Sequence, residues 1–168
     1  TPEQQRLFNS DVMSARRAFS MDTASTGLPV RVKANAQESE MLNYMTNEIG
    51  MSQFHALGLL VNAIRESTLH TTNPGDKIRG KHTSDGMFQW HAGRLTRAKA
   101  ALGSNWNDWR SQIKYALEEE GEPGQEYLQQ QFSSAQEAAD WWMSRWERPA
   151  DQVSGSQFHK DTLQNLQY

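Results

Sequence analysis

The chain contains no cysteine in its 168 residues, which excludes a disulfide framework, a thiolate metal site and a cysteine nucleophile. Prolines number only five, and no Pro-rich or low-complexity segment or internal repeat interrupts the chain. The longest apolar stretch, residues 56–64, is broken by Gly58 and Asn62. It falls well short of the ~20 residues of a membrane span. Charge of one sign is also scarce: 17 Lys and Arg against 20 Asp and Glu leave a formal net charge of −3. There is no basic stripe of the kind that binds a phosphate backbone, so nucleic acid is not an expected partner. The first residue is Thr1, which leaves room for an upstream segment.

What is present is length for one domain, which at this size buries roughly 70% of its unfolded surface, and six Trp with four Tyr. Aromatic side chains on this scale serve a core, a carbohydrate cleft, or both.

The apolar spacing divides the chain into an arm, residues 1–35, and a main body, residues 36–168. In the arm, Leu7, Phe8, Val12, Ala15 and Phe19 fit an amphipathic helix over 3–19; residues 22–35, with Gly27 and Pro29, read as a linker. In the body, Met41, Leu42, Met45 and Ile49 predict a helix over 36–49 that stops at Gly50. Ser52 is the expected cap of a helix over 53–67, whose Ala56, Leu57, Leu59, Leu60, Ala63 and Ile64 nearly encircle it, the mark of a buried helix. Residues 69–86 are polar and Gly-rich and predict a long loop or short hairpin, a usual place for function. Helices follow over 94–102 and 106–120, the latter ended by Gly121, Pro123 and Gly124. Ser134 with Glu137 has capping-box spacing and starts a helix carrying Ala138, Ala139, Trp142, Met143 and Trp146 up to Pro149. A last short helix is expected over 156–166. The fold class is mainly α, with a small β-hairpin or loop element.

Glu66 is the leading candidate for chemistry. It ends the most apolar helix in the chain. A carboxyl against an apolar wall, at the negative end of a helix dipole, holds its proton more tightly, as a general acid requires. The alternative is a helix-end Glu turned to water or paired with Arg65.

The combination Glu66-Ser67, a polar loop, then Ser84-x-Gly86-x-x-Gln89-Trp90 resembles the active-site region of lysozyme-like peptidoglycan hydrolases. It looks most like phage tail and virion-associated lysozymes, and more distantly like goose-type lysozymes and lytic transglycosylases. The similarity continues in Gly93-Arg94, Gln112-x-x-Tyr115 with Glu118 to Glu120, Ala138-Ala139 and Glu147-Arg148-Pro149-Ala150. It covers roughly residues 56–150.

The resemblance implies a lysozyme-like α+β domain with its β element beside a substrate cleft. It implies that Glu66 protonates the glycosidic oxygen between N-acetylmuramic acid and N-acetylglucosamine, as muramidase or lytic transglycosylase. Ser67, Ser84, Gly86, Gln89 and His91 would line or border the cleft, and Trp90 and Tyr115 would face sugar rings, the alternative being core packing. Gly80 and Gly86 supply the backbone freedom of a loop that approaches a polysaccharide.

The second carboxyl needed for hydrolysis is expected from Asp85, with Asp76 and, outside these, Glu147 as alternatives; without one, the C6 hydroxyl of the muramic acid attacks instead. The string Glu147-Arg148-Pro149 reads first as a helix end held by a salt bridge. No cofactor or metal is expected. The partner implied is bacterial peptidoglycan, with other virion proteins docking on residues 1–35, the protein acting as a monomer in the virion or the host periplasm.

Two rivals stand beside this reading. A wall endopeptidase has precedent in lytic enzymes of double-stranded RNA phages, which the chain also resembles. However, His55, His70, His82, His91 and His159 form no His-Glu-x-x-His, and no Gly-x-Ser-x-Gly is present. His82-x-x-Asp85 with His91 is the remaining arrangement for zinc. The other rival is a non-catalytic wall-binding module on the same scaffold.

Overall fold

The computed structural model describes residues 32–72, 74–78 and 81–166. The expected helix over 3–19 and most of the linker lie outside them. Helix α1, Ala36–Asn43, begins at Asn35, whose side chain accepts the Glu38 N–H while Glu38 returns a bond to the Asn35 N–H. It runs on through a π-helical turn, Tyr44–Ile49, and Gly50 ends it at φ 87°. Helix α2, Gln53–Ser67, is capped by Ser52, whose hydroxyl accepts the His55 N–H. These are the starts and stops the sequence predicts.

The Gly-rich region forms the expected hairpin, and a third strand joins it. Strands β1, Gly75–Ile78, β2, Lys81–Asp85, and β3, Trp90–His91, pair antiparallel in that order. Gly75 stands opposite Ser84, Ser84 opposite His91 and Asp85 opposite Trp90. Helix α3, Gly93–Leu102, leads into a short 3-10 turn, and α4, Trp109–Lys114, into a π-helical turn, Tyr115–Glu119.

One helix was not expected. The Gly121-Glu122-Pro123-Gly124 string ends the preceding element but also starts α5, Glu122–Gln129, with proline in its first turn, where the missing N–H costs nothing. Gly124 is required there, since a Cβ would stand 2.0 Å from the Ala116 carbonyl oxygen. Helix α6, Ala135–Trp142, continues as a π-helical turn, Met143–Glu147. Ser134 caps it as predicted, but Glu137 bonds to Ser133 and not back to Ser134, so only half of the capping box forms. Helix α7, Gln152–Asn165, starts at Asp151, earlier than the spacing indicated.

Helix α2 is the axis of the molecule. It is buried from Gln53 to Ala63 except for the partly buried Phe54, and its most extensive neighbour is α6. Gly58 permits that approach: a Cβ there would lie 2.9 Å from both Ala138 Cβ and Ala139 N. Asn62 then stitches the two helices, donating to the carbonyls of Gly58 at 2.8 Å and Ala139 at 3.0 Å. Around this axis, Met41, Leu42 and Met45 of α1 and an aromatic group of Phe88, Trp90, Trp142 and Trp146 complete the core. Each such large side chain contributes roughly 1.5–3 kcal/mol by leaving water. Trp142 and Trp146, one helical turn apart, stack at 5.0 Å.

Candidate functional site

Glu66 is the sole acidic side chain of α2 and stands where the buried helix meets the surface. The helix ends because Thr68 and Leu69 both take positive φ, 51° and 69°, turning the chain out toward the hairpin. Ser67 is tied down by its hydroxyl to the Ala63 carbonyl at 3.0 Å and is buried. Glu66 keeps 20% of its side-chain surface open and pairs with Arg65 at 3.2 Å. The partner named by the alternative reading is therefore present, and Glu66 is half-buried, neither sealed nor free in bulk water.

The Ser84–His91 segment folds as a tight corner between β2 and β3. Gly86 sits at φ 91°, and a Cβ on it would meet Trp90 at 2.7 Å and Trp106 at 3.0 Å, so both conformation and space demand glycine here. Gln89 also has positive φ, 53°, and its side-chain amide donates to the Gly86 carbonyl at 3.0 Å. Ser84 is buried and its hydroxyl meets His91 Nδ1 at 2.9 Å; His91 itself is exposed.

Asp85 is nearly buried. One carboxyl oxygen accepts the Gly86 N–H at 2.8 Å and the other pairs with Lys99 of α3 at 3.2 Å. These partners are those of a group that fixes the corner. The side chain of Asp76, and Gly80 altogether, lie outside the described parts.

Trp90 is wholly buried. Phe88, Trp106, Tyr115 and Trp146 surround it with ring centroids 5.6–5.9 Å away. Tyr115 is nearly buried as well, and burial pushes its hydroxyl pKa up. The expectation that these two rings face sugars gives way to the packing alternative, because both are sandwiched beneath the corner.

Two residues that the sequence flagged only as parts of a pattern hold this region together. Gln112 of α4 is fully buried. It accepts the Met87 N–H at 2.9 Å and donates to the carbonyls of Thr71, at 2.9 Å, and Trp106, joining the loop after α2, the corner and the approach to α4. Arg94 grips Glu120 with two parallel bonds of 2.9 and 3.0 Å, donates to the Trp146 carbonyl at 3.0 Å and lies 4.0 Å over the Trp146 ring. It thereby fixes the chain one residue before Glu147.

Glu147 corrects the expected salt bridge. Arg148 does close the helix, at φ 53°, but neither carboxyl oxygen of Glu147 has a partner or contact with water. The carboxyl faces inward, toward Glu66. Burial, and then the charge of Glu66, hold its pKa well above the ordinary carboxylate range, while Arg65 pulls the other way. The Trp142 indole N–H faces it too, yet stays outside hydrogen-bond geometry. In the sequence Glu147 reads first as a helix-end charge and only as an outside alternative for the second carboxyl; the signal for its burial is its place two turns after the buried Ala139 on a helix of inward-facing aromatics.

Behind Arg65 lies a polar chain. His159 is buried, with Nδ1 on Asp140 at 2.8 Å and Nε2 on Asn62 at 3.1 Å. Burial lowers its pKa, against the raising effect of Asp140. Among the described residues no three His, Asp or Glu side chains are grouped as a metal-binding set, and no helix is long and apolar enough to cross a membrane.

The family model for phage tail lysozymes matches residues 36–165, from the first residue of α1 to the last of α7. Comparison with curated proteins and with solved structures gave no match. With the match running unbroken through every helix and strand just described, the chain belongs to the phage tail lysozyme family.

Proposed function

We propose that the protein is a phage peptidoglycan hydrolase of the glycosidase type, cutting the bond between N-acetylmuramic acid and N-acetylglucosamine with Glu66 as general acid. Membership of a lysozyme family supports the substrate class. The observation that carries the residue assignment is the position of Glu66: a carboxyl open to the surface at the tip of an otherwise buried helix, with a second, sealed carboxyl behind it.

In the proposed reaction Glu66 gives its proton to the glycosidic oxygen, and the C1–O electron pair leaves with that oxygen. The cation at C1 is then taken either by water, giving a reducing end, or by the C6 hydroxyl of the same muramic acid, giving an anhydro sugar, and in either case the nucleophile's proton passes to the Glu66 carboxylate left by the first step. Asp85 serves as the second carboxyl only if Lys99 swings away and uncovers an oxygen. Its ion pair and buried position favour the route in which no second cleft carboxylate is used. His91, oriented by Ser84, together with Gln89 and the Gly86 backbone, is assigned to the wall that receives substrate; Trp90 and Tyr115 support that wall from beneath, and Ser67 anchors the helix end.

Mass analysis of digested peptidoglycan tests this. A reducing muramic end identifies a muramidase and an anhydro end a transglycosylase. Free peptides with intact glycan would overturn the proposal in favour of an endopeptidase. In this setting the protein works from a virion or in the host periplasm, and residues 1–35 are the proposed contact to other virion proteins.

A further inference from the structure

Of the six tryptophans, Trp90, Trp142 and Trp146 are buried, whereas Trp106, Trp109 and Trp141 keep part of their surface open. A single open aromatic ring is ordinary on a protein surface, so position must select among the three. Trp109 has the Arg110 guanidinium 4.1 Å over its ring and Tyr44 of the α1 segment at its edge. Trp141 has Arg145 5.1 Å over its ring and packs with Tyr127 and Phe132. Trp106 differs: among the described residues it is the only one of the three whose ring meets a ring of the β2–β3 corner, 5.8 Å from Trp90. Its Cη2 comes so near Gly86 that a Cβ there would stand 3.0 Å away.

The backbone of Trp106 is held at both ends. Its N–H donates to the Gly103 carbonyl at 3.2 Å, and its carbonyl accepts the Gln112 amide. The same amide holds the Thr71 carbonyl, on the loop that leaves Glu66 and α2. Next in the chain, Asn107 accepts the Thr72 hydroxyl at 2.7 Å. The indole is thereby fixed where the loop after Glu66, the corner and the approach to α4 converge. Lys99 borders it: the ammonium lies 5.2 Å from the ring centroid, is half-exposed, and pairs with Asp85 at 3.2 Å.

We propose that Trp106 is a glycan-binding residue, whose open ring surface stacks on an N-acetylated sugar of the strand running past the corner, with Lys99 donating to a sugar oxygen beside it. The inference rests on the glycosidase reading of the site. A pyranose has a polar rim and an apolar C–H face. A flat indole covers that face, and a ring already fixed gives up little freedom in doing so. The Lys99 ammonium carries three N–H donors; Asp85 engages it from the protein, and its open part is left for the polar rim. The sugar contact expected of Trp90 thus passes to its neighbour. Trp90 fills the core behind the corner, and Trp106 carries the same aromatic group out to the surface. Stacking on a sugar that does not react strengthens substrate and transition state alike, so it acts on half-saturation and not on maximal rate.

The test is a titration of tetra-N-acetylchitotetraose into nitrogen-15-labelled Glu66→Gln protein, which leaves the saccharide uncut, read at indole N–H resonances assigned through their bonds. The Trp106 resonance is expected to move and saturate, while those of Trp109 and Trp141 stay in place. This measurement needs no substitution at Trp106. In protein with Glu66 intact, Trp106→Leu is expected to raise half-saturating peptidoglycan about tenfold, or ~1.4 kcal/mol, with maximal rate held within about twofold, and Trp106→Tyr to restore most of the affinity. A Trp106 resonance indifferent to the saccharide overturns the proposal. So does a folded Trp106→Leu protein with a lower melting temperature and unchanged half-saturation, since that marks a ring used only for packing. Saccharide bound at Trp106 in a protein that frees only peptides from peptidoglycan removes the glycosidase reading and leaves the sugar contact; Glu66-dependent glycan cleavage with a silent Trp106 does the reverse.

Discussion

The side-chain carbonyl of Gln112 accepts the backbone N–H of Met87 at 2.9 Å, so the corner between β2 and β3 is hung from a helix more than twenty residues further along the chain. The amide end of the same side chain satisfies the Thr71 and Trp106 carbonyls. Gln112→Ala strands three backbone groups at once, each costing about 1–3 kcal/mol when left without a partner. The expected result is a clear drop in the urea midpoint, with lysis weakened at temperatures where the fold survives.

Glu66→Gln is expected to cut the lytic rate by about 10²–10⁴, the usual loss for a positioned proton donor, with an unchanged far-UV spectrum and melting temperature within a few degrees. Retained lysis would reject Glu66 as the acid.

Asp85→Asn separates the two readings of the second carboxyl. Lys99 is half-exposed, so solvent screens the pair and its loss is expected to cost under about 1 kcal/mol, while the amide oxygen still accepts the Gly86 N–H. Lysis is expected to stay within about tenfold of wild type. A loss as large as that of Glu66→Gln would instead make Asp85 the group that activates water.

Gly86→Ala meets both a φ of 91° and a ring atom of Trp90 at 2.7 Å. Strain at such a site costs about 1–3 kcal/mol, read as a lower melting temperature together with a change in Trp fluorescence.

Stability is expected to fall on both sides of an intermediate pH. Burial lowers the pKa of His55 and His159 below the ordinary 6.5. As pH drops below 6.5 the unfolded chain therefore takes up protons that the folded one refuses, and stability is lost. Glu147 works in the other direction. Its raised pKa means that, above the ordinary 4.5, the unfolded chain releases a proton that the folded one keeps, so stability falls as pH rises. Glu147→Gln removes this second effect and is expected to raise the urea midpoint at pH 7.

The sequence by itself determined the elements whose signals are local. The caps Ser52 and Ser134, the stop at Gly50, the buried stripe of α2 and the Gly-rich hairpin all depend on residues within a turn or two of one another, and the chain spells them out. The same holds for Glu66, marked by the apolar helix it ends. Helix α5 escaped because Gly121, Pro123 and Gly124 signal a break and a start with the same letters. Only the tertiary structure decided the rest. Trp90 became core and not a sugar platform because Trp106, Tyr115 and Trp146 close over it from three distant segments. Asp85 acquired Lys99 from α3. Glu147 lost its water because α6 lies against α2, an approach set by Gly58 and Asn62. Burial and charge pairing depend on which surfaces meet, and no local pattern records that.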